Sequence, residues 1–592
     1  MTLLRVSGLS ISYPGASRPA VSELSFTVND GESVGIVGES GSGKTQTALA
    51  VMGLLPANAS VNGSIRLQGE EILGAPAARL NQLRPQKIAI VFQDPKAALN
   101  PYLSVGKQLK RIMIAHGIAS GRDAVQRSLE MLQRVGLPDP ERQYRAYPHQ
   151  LSGGMRQRAL IASALIAEPD LLIADEPTTA LDVTIQAQIL NLLQELRHAS
   201  NTALLLITHD LGVIAGNSER TLVLDKGCLL EEGTTRQIFA APGQERSQAL
   251  IAAAPRLDAA AQAAPVTVGA MPLLEVDDIS VSFRERRGRG RNDLHAVLPL
   301  SFNVLPGETV AIVGESGSGK TSLVRAVLGL LAKKTGTVGF LGMALPDIVR
   351  KRSNETRRRL QMVFQDPVAS LDPAMRVGSI IAEPISVHEP GSKAAQREQR
   401  VDEMLGRVGL EHELKARFPH ELSGGQAQRV AIARALVMQP KILICDEAVA
   451  ALDGTVRSDI LQLLLDEQTR SSLSLIIITH DLTVVRQMSH RVLVMYLGRI
   501  CELTTNDRLF RQPRHPYTRA LLDAMPLPDP TAARQPPPVS GEAASILRPP
   551  SGCVFHPRCL HANDACSKDT PLLEETQDGK VACHRAAELD LS

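Results

Sequence analysis

The chain contains no tryptophan, and only 3% of its 592 residues are aromatic. Side chains that stack on bases are therefore scarce, and the footprint of a protein that grips single-stranded nucleic acid is missing. Neither sign of charge dominates. Lys and Arg number 64 against 62 Asp and Glu, a formal net charge of +2, so no basic surplus marks a partner with a phosphate backbone. No run of 18 or more apolar residues occurs, which excludes a helix that crosses a bilayer. The opening Met1-Thr-Leu-Leu-Arg also lacks the charged region and apolar stretch of a secretory leader. The expectation is a cytoplasmic chain with no membrane span of its own. Disulfides are not expected in that reducing compartment. Four of the seven cysteines, Cys553, Cys559, Cys566 and Cys583, nevertheless crowd into the last 40 residues.

What is present is glycine in a fixed arrangement. The octet Gly-Glu-Ser-Gly-Ser-Gly-Lys-Thr occurs at residues 38–45 and again at 314–321. Each copy fits G-x-x-x-x-G-K-[ST] and follows an apolar run, so a buried strand feeds a tight loop and then a helix. Gly38, Gly41 and Gly43, with Gly314, Gly317 and Gly319, let the loop wrap closely around phosphate oxygens and point its N–H groups inward. Ser40 and Ser316 belong to the same cradle. Lys44 and Lys320 are placed to reach the β- and γ-phosphates, and Thr45 and Thr321 to hold Mg²⁺.

The repeat extends along the chain. Lys44 recurs 276 positions later as Lys320, and Ser152, Glu176 and His209 each recur 271 positions later as Ser423, Glu447 and His480. Two homologous domains follow, at residues 1–251 and 273–525, joined by an Ala/Pro-rich linker at 252–272. Apolar runs alternating with helical patterns make the class α/β, with a mostly parallel sheet. In both halves the order after the glycine loop is the same: Val-Phe-Gln-Asp-Pro with Gln93 or Gln365, then Leu-Ser-Gly-Gly, then an apolar run ending in Asp175-Glu176 or Asp446-Glu447, then Ala-Leu-Asp, then Ile-Thr-His-Asp.

On these motifs the chain resembles the ATP-binding-cassette ATPases over most of both halves. The resemblance implies two tandem nucleotide-binding domains, each a RecA-like core with a helical subdomain. Mg²⁺ would be met by Thr45, Gln93 and Asp175 in one site and by Thr321, Gln365 and Asp446 in the other. Glu176 and Glu447 would polarise the attacking water, and His209 and His480 would contact the γ-phosphate. It further implies shared sites: Ser423, Gly424 and Gly425 of the second half close over ATP held by the first, and Ser152, Gly153 and Gly154 close over ATP held by the second. Tyr13 is placed to stack on adenine, with Phe283 as its counterpart. Two departures point to competent but unequal sites. Met155 stands where the second copy has Gln426, and Pro177-Thr178-Thr179 becomes Ala448-Val449-Ala450.

Beyond the second half, residues 515–522 (His-Pro-Tyr-Thr-Arg-Ala-Leu-Leu) resemble the tail of importer ATPases of the oligopeptide, dipeptide and nickel class, whereas the first half ends with only a faint trace of it. A Pro-rich tether leads from there into a small Cys-rich lobe, the two together spanning residues 526–592. Its cysteines contain no C-x-x-C pair, a poor match to structural zinc. The resemblance implies a [4Fe–4S] cluster on Cys553, Cys559, Cys566 and Cys583, with Zn²⁺ the alternative. Lying outside the nucleotide motifs, this lobe is expected to be remote from hydrolysis.

The function so implied is ATP-driven import of peptides or a related solute, at the cytoplasmic face of the inner membrane. Two integral-membrane permease subunits and an extracytoplasmic binding protein would be separate partners, with no nucleic acid involved. Residues 99–103 and 371–375 are the expected permease contacts. The arginine-rich stretch 284–291 reads as a solvated loop or a contact for anionic lipid. A soluble twin-cassette ATPase of translation is the competing reading.

Overall fold

The computed structural model describes residues 1–592 except 40, 180, 253, 255–268, 288–289, 334, 449–453, 533–538, 540, 542–543, 577–578 and 592. Most of the expected linker lies outside the described residues. The chain separates into two compact units, one of residues 1–181, 185–255 and 526–537, the other of 182–184, 256–525 and 538–592.

The strands of the first unit are β1 (Thr2–Ser12), β2 (Val21–Asn29), β3 (Ser33–Val37), β4 (Ser60–Leu67), β5 (Glu70–Glu71), β6 (Ile88–Val91), β7 (Leu171–Asp175), β8 (Ala203–Thr208), β9 (Arg220–Asp225) and β10 (Cys228–Thr234). They form an antiparallel sheet of order β2-β1-β4-β5 and a larger sheet of order β10-β9-β3-β8-β7-β6. The larger sheet is parallel except for β10. Every residue of β3, β7 and β8 is buried. This is why those segments read as unbroken apolar runs rather than alternating ones. Leu204 and Leu206 face one core with Val91, Leu172 and Ala174. Leu205 and Ile207 face the other with Val34, Ile36 and Ile173. Each fully buried Leu or Ile stabilises the sheet by about 1.5–3 kcal/mol, so substitutions on either face are costly.

Between β6 and β7 the chain leaves the sheet to build helices Val105–Ala115, Gly121–Arg134 and Gly153–Leu165. Leu109, Met113, Met131, Leu132 and Ile161 join their apolar faces to the core on one side of the sheet. The expected core-plus-helices domain is thereby formed.

The second unit repeats the plan with β11 (Leu274–Arg287), β12 (Gly290–Val304), β13 (Thr309–Val313), β14 (Thr335–Phe340), β15 (Met343–Ala344), β16 (Leu360–Val363), β17 (Ile442–Asp446), β18 (Ser474–Ile478), β19 (Arg491–Tyr496) and β20 (Arg499–Thr505). Two additional strands come from the C-terminal lobe, β21 (Glu574–Thr576) and β22 (Gly579–Val581). The order β16-β17-β18-β13-β19-β20-β22-β21 copies the first sheet and extends it. The arginine-rich stretch, expected as a loop, is backbone-paired in the β11–β12 hairpin, with Arg286 opposite Arg291. Its side chains lie outside the described residues.

The tail that was faint in the first half has the same structure in both. Helix Glu245–Ala252 stands 271 positions before helix Pro516–Asp523. In each case a strand glutamate clasps the turn that leads into the helix. Glu231 accepts from the N–H groups of Gly243 at 2.7 Å and Gln244 at 3.3 Å, and Glu502 accepts from those of Arg514 at 3.1 Å and His515 at 3.0 Å. Glu502 is 1% exposed, and burial lifts its carboxyl above the ordinary range.

Replacing Glu502 by Ala leaves the buried His515 N–H and the part-buried Arg514 N–H without this partner, the buried one alone costing about 1–3 kcal/mol. Glu231→Ala opens a half-buried site that water can repair, so its cost is expected to be at most about 1 kcal/mol. Chemical denaturation of the two variants checks the difference. Equal losses would show that the clasp at Glu502 is no stronger than the wetter one.

Candidate functional site

The glycine loop of each unit joins the end of a fully buried strand to the start of a helix, β3 to Lys44–Val51 and β13 to Lys320–Val327. Gly43 and Gly319 cap these helices at φ 93° and 101°. A Cβ there would come within 2.5 Å of the Ala20 carbonyl oxygen and 2.4 Å of that of Ala296. Both the handedness and the close backbone approach demand glycine. Gly38 and Gly314 are equally confined, each 2.1 Å from a carbonyl oxygen at the Cβ position, whereas Gly41 and Gly317 have open space and positive φ. Ser40 lies outside the described residues.

Lys44 donates to the carbonyl oxygens of Gly38 and Glu39, both at 2.7 Å, and Lys320 to those of Gly314 at 2.7 Å and Glu315 at 2.9 Å. Each ammonium is thus folded over its loop. The helix start supplies further N–H groups, so the loop is a prepared anion cradle.

The Thr45 hydroxyl lies 3.3 Å from Asp175 Oδ1, and the Thr321 hydroxyl 3.0 Å from Asp446 Oδ1. Asp446 Oδ2 is buried and has no hydrogen-bond partner among the described residues. An orphaned carboxylate oxygen beside a threonine hydroxyl and a phosphate cradle fits a hydrated Mg²⁺. Burial raises the Asp175 carboxyl to about 6 and that of Asp446 in the same direction.

The neighbouring glutamates are pushed the other way. Burial opposes ionisation of Glu176, but its hydrogen bonds to His209 and Thr179 hold the carboxyl below the ordinary range. His480, first, and then Lys320 and Gln365 do the same for Glu447 against burial. Burial works against a charge on His480, yet Glu447 raises its pKa overall. Adjacent carboxyls whose environments drive them apart in this way mark separate chemical duties. Glu176 and Glu447 also hold φ at 47° and 49°, a strained conformation for a non-glycine residue that a functional site retains.

The two glutamates are not held alike. Gln93 donates to Glu176 at 2.6 Å, Thr179 donates at 2.9 Å, and His209 Nδ1 is at 3.0 Å. Gln365 donates to Glu447 at 2.5 Å, but His480 Nδ1 is 3.7 Å away. The position matching Thr179 is Ala450, which has no hydroxyl to offer and lies outside the described residues. The signature helices differ similarly. Ser152 accepts from the Met155 N–H at 3.1 Å, whereas Ser423 and Gln426 cap each other reciprocally at 3.3 and 3.0 Å. Methionine cannot return that bond. Gly153 and Gly424 begin these helices, with Gly154 and Gly425 next in line.

Tyr13 follows β1 and donates from its hydroxyl to Gln46, two residues beyond Lys44, so its ring lies beside the loop helix. Phe283 lies on β11 opposite Leu294 and is 38% exposed. Ser316 is in the second loop. Two expected permease contacts are corrected: Leu99 and Leu371 are 3% and 2% exposed and belong to the cores. Exposed apolar side chains close by in the chain are Tyr102 in the first unit and Val368 in the second.

In the lobe, Cys553, Cys559, Cys566 and Cys583 line one small cavity with His515, Phe555 and His556. Burial pushes the Cys583 thiol up to about 11, and the neighbouring thiols add to the shift. Among the described residues no group of three or more His, Cys, Asp or Glu side chains is arranged to hold a metal ion. That arrangement gives no direct support to the cluster or to its zinc alternative. The sequence reading missed Cys501, which is buried on β20; burial first, and then the neighbouring Cys553, push its thiol well above the usual range.

The expected remoteness of this lobe is overturned. Its β22 pairs with β20, Glu502 standing opposite Val581. Arg558, one residue before Cys559, donates to Glu315 of the second glycine loop at 2.8 Å. Physically, a lobe too small for its own core has completed the neighbouring sheet.

The ABC transporter family matches residues 21–179 and 297–450, and the C-terminal region of oligopeptide/dipeptide transporters matches residues 501–566. The glutathione import ATP-binding protein GsiA of Escherichia coli (strain K12) is 42% identical over 568 residues, 90% of this chain and 91% of that protein. GsiA of Pectobacterium atrosepticum is 42% identical over 89% of this chain and 90% of its own. No helix among the described residues is long and apolar enough to cross a membrane. The chain therefore belongs to the ATP-binding proteins of ABC transporters and is an ATPase carrying two cassettes in one polypeptide.

Proposed function

We infer that this chain is the energy-coupling subunit of an importer for glutathione-like or other short peptides, working beneath two permease subunits fed by an extracytoplasmic binding protein. The observation that carries this reading is likeness along nine tenths of the chain to glutathione import ATPases, together with the transporter-type tail at residues 501–566. That likeness also disfavours a role in translation. The permeases are membrane proteins, so the chain works as a peripheral subunit at the cytoplasmic face.

Each ATP is held by Lys44 or Lys320, with Mg²⁺ on Thr45, Gln93 and Asp175 or on Thr321, Gln365 and Asp446. Tyr13 and Phe283 take the adenines. Ser423, Gly424 and Gly425 complete the first site, and Ser152, Gly153 and Gly154 the second. Binding thereby closes the two cassettes on each other and hydrolysis releases them, a ligand-biased two-state element. Glu176 and Glu447 orient the water through an ionised carboxylate, and His209 and His480 steady that carboxylate and the γ-phosphate. Support for permease docking comes from a groove of about 320 Å³ in the second cassette, lined in part by Leu328, Leu330, Phe364, Pro384 and Val387. A short amphipathic helix from a permease fits such a groove.

Replacing Glu176 and Glu447 together by Gln is expected to lower ATPase at least about 100-fold while nucleotide still binds, and to stop peptide uptake by vesicles that contain the permeases. Turnover within threefold of wild type would sink the assignment.

On the same reading a [4Fe–4S] cluster is held by the four thiols that line one cavity of the lobe. When bound, such a cluster would cross-link Cys553, Cys559, Cys566 and Cys583 and so rigidify the lobe. Anaerobically purified protein is expected to bind about four irons per chain and to lose them in Cys553→Ser. Stoichiometric zinc without iron would be the contrary result.

A further inference from the structure

The second glycine loop is gripped from behind at one residue. Glu315 uses its carbonyl oxygen to hold Lys320 at 2.9 Å. Its N–H donates to the hydroxyl of Tyr517 at 2.8 Å, and its carboxylate takes the guanidinium of Arg558 at 2.8 Å. The two charged side chains are 5% and 4% exposed. Arg558 also donates to the hydroxyl of Tyr496 at 3.2 Å. Tyr496, Tyr517 and Phe555 pack with ring centroids 4.7 to 5.4 Å apart. Water is thus excluded from the pair, and the charges act on each other at low dielectric.

The first loop has the same glutamate and a different grip. Glu39 holds Lys44 by its carbonyl at 2.7 Å, and its carboxylate meets Arg246 at 2.7 Å, with the two side chains 21% and 43% exposed. Arg246 comes from the tail helix and stands 271 positions before Tyr517. The second cassette therefore has tyrosine where the first has its arginine, and it draws its arginine from the C-terminal lobe instead.

We propose that Arg558 is a positioning residue of the second nucleotide site: through Glu315 it fixes the loop carbonyl that aims Lys320, so the C-terminal lobe sets the nucleotide affinity of this site alone. The inference rests on the reading of the glycine loops as phosphate sites. A half-exposed pair such as Glu39–Arg246 contributes less and is screened by salt, whereas breaking one member of a buried pair leaves an uncompensated charge beside the loop. The lobe brace is consequently specific to site two. Arg558 also closes the short turn His556–Arg558 that runs between Cys553 and Cys559, so the thiol cavity and the brace share a backbone.

The test uses the full chain in two backgrounds, Lys44→Ala to leave site two as reporter and Lys320→Ala to leave site one. A fluorescent Mg·ADP analogue is titrated against Arg558→Gln, Arg558→Lys and Arg246→Gln in each. Arg558→Gln is expected to weaken site two at least about tenfold and to leave site one within about twofold. Arg558→Lys falls between, because one ammonium replaces a rigid fork. Arg246→Gln is expected to weaken site one less than about threefold. Unchanged affinity at site two overturns the proposal. If Arg558→Gln weakens both sites equally, the milder Arg558→Lys decides: selective weakening of site two supports the brace, and equal or no weakening overturns it. Should the otherwise wild-type chain still bind two nucleotides after Lys320→Ala, the phosphate-site reading fails instead, which is a separate outcome.

Discussion

A parallel sheet buried on both faces is the constraint on which the rest depends. With Leu204 and Leu206 committed to one core and Leu205 and Ile207 to the other, the middle of such a strand has no side chain free for chemistry. Polar groups collect where the strands end, at their carboxyl edge. There β3 releases the glycine loop, β7 delivers Asp175 and then Glu176, and β8 runs on to His209. The second cassette obeys the same rule with Lys320, Asp446, Glu447 and His480.

Those residues were legible in the sequence because their relations are local. A glycine loop needs its lysine and threonine at fixed spacing, and a strand of five buried residues needs only one reading frame to place Asp175 at its end. The relations that escaped are long-range or masked by composition. Glu315 occupies a variable position of its motif, and its partner lies 243 residues away. Leu99 and Leu371 follow a motif known for surface contacts, yet their apolar side chains were drawn into the cores. The first tail helix keeps Glu231 but lacks the His-Pro-Tyr sequence, so only its hydrogen bonds disclose it.

The two cassettes also show how one architecture accommodates unequal detail. Gln93, Thr179 and His209 all hydrogen-bond Glu176, while Glu447 keeps the matching Gln365 bond and has His480 at 3.7 Å. Conversely, the signature helix of the first cassette has lost a reciprocal cap that the second keeps through Gln426. Restraint of the glutamate and restraint of the signature helix are thus distributed to opposite halves, and neither half carries the better version of both.

The hairpin of β21 and β22 has a consequence for how the chain reaches its native state. The second sheet ends on strands that lie some 75 residues beyond β20, so synthesis of the cassette itself leaves β20 as an unpaired edge. Such an edge invites pairing with another chain. Ile500 and Cys501 lie on it, both buried once the sheet is complete. Until that hairpin is added the second cassette presents β20 as a sticky margin, which β22 then covers along Glu502–Thr504.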